Sequence, residues 1–308
     1  MTDPTRSTRA RLQGLAALAL CLVAFMGAHA AVVEETLRVP VQVKDARGRE
    51  AAQEIVVTVW RDDQATAPLP VAILGHGRAP EPQMRASLGR THMAAPARWL
   101  VRLGFLVASP IRVGYGDSGG PDMEDSGACG NKNYPPGFAA AADQTLAVLA
   151  ALRARADVAP DRAVVIGQSY GGATAIALAA RNPPGVQAVV NFAGGGGGNP
   201  VLKPQDPCSP ASLALMFKDF GRTARVPSLW IYAENDQYFG SRLPKEWFDA
   251  YQAAGGVGVF APQPAFGSDG HTLFGRGMPL WQPQVAAFLR SVSAMPAQVG
   301  AADAARGR

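Results

Sequence analysis

The stretch Val164-Val165-Ile166-Gly167-Gln168-Ser169-Tyr170-Gly171-Gly172, followed by Ala173 to Leu178, constrains this chain more than any other. A short β-branched run ends in Gly-x-Ser-x-Gly and passes at once into an alanine-rich helical pattern. That is the strand, sharp turn and helix of a nucleophile elbow. A serine at the tip of so tight a turn sits in strained backbone, so its neighbours two residues either side must lack bulk; Gly167 and Gly171 meet that condition. Gly172 lets the helix pack close to the sheet. The turn points the Ser169 hydroxyl out of the sheet, and the helix start directs free N–H groups and its positive end to the same spot. Ser169 is therefore the candidate nucleophile. The competing reading is a tight strand-to-helix turn with a passenger serine, because five-residue patterns recur by chance.

The first 30 residues read as a leader rather than as part of the fold. Arg6, Arg9 and Arg11 precede an apolar run from Leu15 to Met26, and Ala28-His29-Ala30 has the small-x-small pattern of a signal-peptidase site. Export to the periplasm or the medium is the expectation. A retained anchor is the weaker reading, since the run is about twelve residues where a span needs roughly 20. A lipoprotein through Cys21 fits poorly because Leu20 stands where a small residue belongs. Residues 31–293 are long enough for one large α/β domain. The net charge of +5 is mild and spread along the chain, with no basic block or aromatic interleaving, which argues against nucleic acid as a partner. Cys129 and Cys208 lie in Gly/Pro-rich, loop-like surroundings. In an oxidising compartment such a pair reads as a disulfide, with two free thiols as the alternative, and neither cysteine has metal-ligand spacing.

Along the chain, Leu37 to Val43 and Ile55 to Trp60 alternate apolar and polar residues around a turn at Lys44 to Gly48, an antiparallel hairpin. Val71 to Leu74, Phe105 to Ala108, the elbow strand, Val186 to Phe192, Ser228 to Tyr232 and Gly258 to Phe260 read as buried-type strands. Helical patterns over Ala94 to Leu103, Phe138 to Arg155, Ala211 to Phe220, Pro244 to Ala253 and Met278 to Val292 separate them. Strands alternating with helices predict a mostly parallel central sheet covered on both faces, whose ligands bind beyond the carboxyl ends of the strands. Residues 194–225, after the sixth strand, break the rhythm and read as a small cap insertion. Gly194 to Gly198 is either a floppy loop or backbone that must pass close to a pocket. Gly114, Gly116 and Gly119 fit a dinucleotide fingerprint by spacing, but Gly120-Pro121 and a loop follow where a helix is required. Residues 294–308 read as a disordered small-residue tail without a core role.

A serine needs a base, and the base needs an orienting group. His271 stands in the polar loop Gly267-Ser268-Asp269-Gly270-His271, between the last strand and the closing helix, where a core histidine is not expected. It is the candidate base. Beyond Tyr232 come Glu234 and Asp236; Asp236 lies further past the strand end and is the preferred acid, with Glu234 second. For the oxyanion, the Tyr170 N–H follows the nucleophile, and the second donor comes from Gly75-His76-Gly77-Arg78, with the Arg78 N–H ahead of Gly77. His76 reads as a structural residue of that loop. The Arg78 side chain reads as solvent-facing, with contact to an anionic substrate as the alternative. Tyr115, Tyr238 and Phe239 are candidate substrate contacts by position.

The order Ser169, Asp236, His271 is the chain order of the α/β-hydrolase triad. The span from Val32 to Ser293 resembles the α/β-hydrolase superfamily, and within it the secreted dienelactone-hydrolase-like and esterase group. The likeness rests on the His76-Gly77 loop, Gly114-Tyr115-Gly116-Asp117-Ser118-Gly119-Gly120, the Gln168-Ser169-Tyr170 elbow and Gly270-His271-Thr272-Leu273-Phe274. Dienelactone hydrolase proper has cysteine at the nucleophile where this chain has Ser169, so lactone specificity does not carry over. The resemblance implies a serine hydrolase of small or polymeric carboxylic esters, working through an acyl-enzyme with no cofactor and no metal. A peptidase or amidase on the same triad, and a non-catalytic binding scaffold on the same fold, are the rivals.

Overall fold

The computed structural model describes residues 31–66 and 68–296. The expected leader, residues 1–30, and the expected tail from residue 297 onward lie outside the described residues. One sheet of eight strands runs through the domain: β1 (Val32–Lys44), β2 (Glu50–Asp62), β3 (Leu69–Gly75), β4 (Leu106–Pro110), β5 (Val158–Gln168), β6 (Val186–Phe192), β7 (Ser228–Ala233) and β8 (Gly258–Gln263). Their spatial order is β1-β2-β4-β3-β5-β6-β7-β8. β1, β2 and β4 are joined antiparallel, and every pairing from β4 to β8 is parallel.

The parallel strands are apolar on both faces because both faces are covered. In β3, Val71 and Ile73 join one core while Ala72 and Leu74 join the other; in β5, Ala163 and Val165 part from Val164 and Ile166 in the same way. The first core takes the inner faces of α3 (Tyr134–Arg153), α4 (Tyr170–Ala179), α5 (Pro210–Thr223) and α6 (Arg242–Ala253). The second takes α2 (Ala94–Arg102) and α8 (Met278–Ser291), with Trp99 set edge-on against Trp281 at 5.1 Å between ring centres. Truncating a buried tryptophan such as Trp281 to alanine would cost about 3–5 kcal/mol.

The structure differs from the sequence reading in four places. Residues 79–91, to which the sequence pattern assigns no element, contain a short helix, α1 (Pro82–Ala86). β5 begins at Val158, and Pro160 to Arg162 form an irregularity between the pairs Leu69↔Val158 and Val71↔Ala163. The expected cap divides in two. Residues 194–209 border the functional face, whereas α5 is the crossover helix between β6 and β7, packed chiefly on α6. The tail was expected from residue 294, yet Ala294 is fully buried in the second core and the Met295 carbonyl accepts a hydrogen bond from Arg162 at 2.8 Å. A small-residue composition concealed that anchorage. Among the described residues no helix is long and apolar enough to cross a membrane.

Candidate active site

The loops leaving the carboxyl ends of β3, β4, β5, β6, β7 and β8 meet at one rim of the sheet. Ser169 occupies the turn between β5 and α4 with φ 56° and ψ −121°, the strained conformation that the elbow demands. The flanking glycines are sterically obligatory. A Cβ on Gly167 would lie 2.0 Å from the Gly171 carbonyl oxygen, and one on Gly171 would lie 2.3 Å from that of Gly75. The β3 loop backs directly onto the elbow, since a Cβ on Gly77 would stand 3.2 Å from the Ser169 Cβ. Tyr170 is the first residue of α4, so its N–H has no acceptor within the helix.

Asp236 is fully buried just beyond β7. One carboxylate oxygen accepts the Tyr238 and Phe239 N–H groups at 2.7 and 3.0 Å, and the other accepts His271 Nδ1–H at 2.9 Å. Glu234 is exposed. The Asp236 contact fixes the tautomer of the imidazole and leaves Nε2 as its free nitrogen. Tyr238 stacks on the His271 ring at 4.0 Å between centres, and Phe239 meets it edge-on at 5.4 Å. Asp269, which the sequence reading did not single out, ties the acid loop to the histidine loop: one oxygen accepts the His271 N–H at 2.9 Å and the Gln237 N–H at 3.0 Å. The structure thus joins His271 to Asp236 and sets His271 beside Ser169 as walls of one cavity. No hydrogen bond links the Ser169 hydroxyl to the imidazole.

A second group of residues escaped the sequence reading. Arg112 and Glu124 form a buried ion pair under the β3 loop, and the Tyr115 hydroxyl donates to Glu124 at 2.7 Å. Arg112 also donates to the His76 and Gly77 carbonyls at 2.8 and 3.1 Å, which pins the segment that presents the Arg78 N–H. Burial opposes the Arg112 charge, but Glu124 outweighs it and holds the guanidinium firmly protonated. His76 is buried and neutral, with Nδ1–H on the Gly77 carbonyl at 2.7 Å and Nε2 accepting the Arg112 N–H at 3.2 Å. It is the structural residue that its sequence context suggested.

Two expectations need correction. The Arg78 side chain is not solvent-facing: it grips Asp122 through two hydrogen bonds of 2.7 and 2.6 Å. Burial disfavours its charge, yet Asp122 and Glu124 more than restore it. Tyr115 is buried with its hydroxyl committed to Glu124, so it serves as a fixed wall and not as a free substrate donor. Both were misjudged because the partner carboxylates lie in a loop without periodicity.

Two cavities flank Ser169. The first, about 360 Å³, is bordered by Tyr134, Tyr170, Phe239 and the backbone of Gly195 to Gly198. The glycine run is therefore pocket wall, and it is glycine because rings crowd it: a Cβ on Gly195 would lie 2.8 Å from Phe239 and one on Gly197 would lie 2.2 Å from the Tyr134 hydroxyl. A disulfide between Cys129 and Cys208, with Cα atoms 4.8 Å apart, ties this wall to the 122–133 loop opposite. The second cavity, about 460 Å³, contains His271 together with Met84, Leu88, Met93 and Phe274. Among the described residues no group of three or more His, Cys, Asp or Glu side chains is placed to hold a metal ion.

The family described as serine aminopeptidase, S33, matches residues 88–253 of the chain. No curated protein matches the sequence. Among solved structures, Est1E of Butyrivibrio proteoclasticus, solved with ferulic acid bound, superposes with a TM-score of 0.56 at 16% identity over 79% of this chain and 96% of its own. A dienelactone hydrolase-like promiscuous phosphotriesterase from metagenomic libraries gives 0.54 at 19% identity, covering 83% and 98%. An esterase of Pyrococcus furiosus gives 0.54 at 13%, covering 83% and 90%. At these identities the likeness establishes the α/β-hydrolase fold.

Proposed function

The chain belongs to the serine aminopeptidase family S33 of the α/β-hydrolases, and on that premise we propose that it hydrolyses carboxylic esters through an acyl-enzyme on Ser169. His271 takes the serine proton and returns it to the departing alkoxide, Asp236 orients the imidazole, and the Tyr170 and Arg78 N–H groups receive the oxyanion. The observation that carries this reading is the buried Asp236 carboxylate on His271 Nδ1 at 2.9 Å, with the imidazole bordering the same cavity as a serine held at φ 56°.

Ester rather than peptide is the reading that the charges support. An aminopeptidase has to hold a substrate ammonium, for which an uncommitted carboxylate is the natural partner. Among the described residues, Asp122 is held by Arg78 and Arg85 and Asp125 by Arg47 and the Gly127 N–H, while one Asp269 oxygen accepts two backbone N–H groups. The esterase description of the Pyrococcus furiosus neighbour favours the same side. Export belongs to the same proposal, supported by a disulfide of the kind that persists in oxidising compartments. The test is turnover of p-nitrophenyl acyl esters against aminoacyl anilides. Esters are expected to be the faster substrates by orders of magnitude, and faster anilide turnover would transfer the assignment to the peptidase reading.

A further inference from the structure

Ser169, Arg78, Pro80 and Tyr238 border both cavities, so they form the threshold between them. His271 borders only the second. That asymmetry has a chemical meaning, which rests on the ester hydrolase reading above. In acylation a bond forms between Ser169 Oγ and the acyl carbon while the serine proton passes to His271. The bond from that carbon to the alkoxy oxygen then breaks, and the alcohol departs with the same proton. The leaving oxygen must come within hydrogen-bond reach of the imidazole, about 2.6–3.2 Å. In deacylation water takes the place of the alcohol, gives its proton to His271, and the proton returns to Ser169 as the acyl bond breaks. Alcohol and water must therefore both use the His271 side, which leaves the other cavity to the acyl group.

The two sides differ in character. The His271 side is walled for the most part by apolar groups, among them Met84, Leu88, Met93 and Phe274, with His92, Gln168, Asp269 and Arg276 also on its border, and Met84 stands exposed at its rim on α1. The opposite side carries Ser126, Lys132, Asn199, the Arg-paired Asp122 and Asp125 and the glycine backbone, backed by Tyr134 and Phe239, and its two walls are strapped together. The strap comprises the Cys129–Cys208 disulfide, the Ser209 hydroxyl on the Cys129 carbonyl at 2.8 Å, and the Tyr134 hydroxyl on the Cys208 carbonyl. A wall fixed in this way limits size, and its polar groups offer hydrogen bonds.

We propose that the strapped cavity is the acyl subsite and the Met84/Leu88 cavity the alcohol subsite, so that the preferred substrate is an ester of a compact, hydroxylated acid with an apolar alcohol of several carbons. The acyl side chooses by fit and hydrogen bonding, and the alcohol side by apolar burial, which contributes about 0.8 kcal/mol per buried CH₂.

The test is a matrix of esters in which acid (acetate, butanoate, 3-hydroxybutanoate, octanoate) and alcohol (methyl to octyl) vary independently. kcat/KM is measured for wild type, Ser126→Leu, Ser126→Phe, Met84→Trp and Leu88→Trp, each checked for native circular dichroism. Ser126 is half-buried with no hydrogen bond from its side chain, and Met84 is exposed, so neither change removes a bond of the fold. In wild type, 3-hydroxybutanoate is expected to exceed octanoate at least tenfold, and rates are expected to rise with alcohol length. The Ser126 variants are expected to lower the butanoate-to-acetate ratio at least tenfold while leaving the hexyl-to-methyl ratio within twofold. The Met84 and Leu88 variants are expected to do the reverse. If the ratios respond on the opposite axis, or on neither, the assignment of the cavities is wrong. If wild type turns over no ester in the matrix, or Ser169→Ala matches it, the ester hydrolase reading itself fails, and the two outcomes are distinct.

Discussion

His271 Nδ1 and Asp236 Oδ2 stand 2.9 Å apart, and the other Asp236 oxygen is held by two backbone N–H groups of the same turn. The carboxylate cannot rotate without breaking three hydrogen bonds, so the imidazole it holds keeps one tautomer and one orientation. Asp236→Asn is expected to preserve the fold and lower kcat on p-nitrophenyl esters by about 10³–10⁴, because an amide favours the wrong tautomer. Glu234→Gln, at an exposed position, is expected to stay within twofold. Equal losses in the two variants would mean that the acid has been misassigned.

The Arg112–Glu124 pair underpins the loop after β3 from beneath. Glu124→Gln leaves a buried guanidinium short of its counter-charge, and loss of one partner of such a pair costs about 3–5 kcal/mol. Urea denaturation of wild type and variant checks this directly. A change below about 1 kcal/mol would show that the pair is not supporting the loop.

Burial first, and then the Arg112 guanidinium and His92, hold the His76 pKa well below its ordinary 6.5. The folded protein therefore keeps His76 neutral while the unfolded chain takes up a proton below about pH 6.5. The associated stability is complete above that pH and is lost as pH falls through the window between 6.5 and the depressed folded value, at no more than about 1.4 kcal/mol per pH unit. His76→Gln removes the linkage. The stability gap between wild type and variant should narrow from pH 7.5 to pH 5, and a constant gap would contradict the neutral buried state.

The disulfide closes a loop of 79 residues in sequence separation. In the chain-entropy treatment this stabilises the fold by about 4 kcal/mol. The double variant Cys129→Ser, Cys208→Ser should unfold at correspondingly lower denaturant, and wild type in strong reductant should match it. If reductant leaves the wild-type midpoint in place, the two sulfurs are not bonded in solution.

The elbow was legible because its constraint is local: a serine at positive φ needs Gly167 and Gly171, and hydrophobic periodicity shows the strand and helix on either side. The sheet was legible for the same reason, since doubly buried strands such as Val71 to Leu74 read as apolar runs. Glycines 195–198 could not be assigned from sequence, because what makes them glycine is the approach of Tyr134, Tyr238 and Phe239 from distant segments. Arg78 and Arg112 were hidden in the same way. Their carboxylates, Asp122 and Glu124, sit in a loop whose charges have no period to betray burial, and an isolated arginine reads as solvated by default. Ala294 was misplaced in the tail because small residues carry little hydrophobic signal, although its methyl group is fully buried in the second core.

Covalent labelling with a fluorophosphonate tests the central claim most directly, because the reagent reports an activated serine whatever the substrate. Wild type should take up one label per chain, on the peptide carrying Ser169, and His271→Ala should label at least a hundredfold more slowly. Ser169→Ala should take up none. Labelling of Ser169→Ala at the wild-type rate would contradict the account.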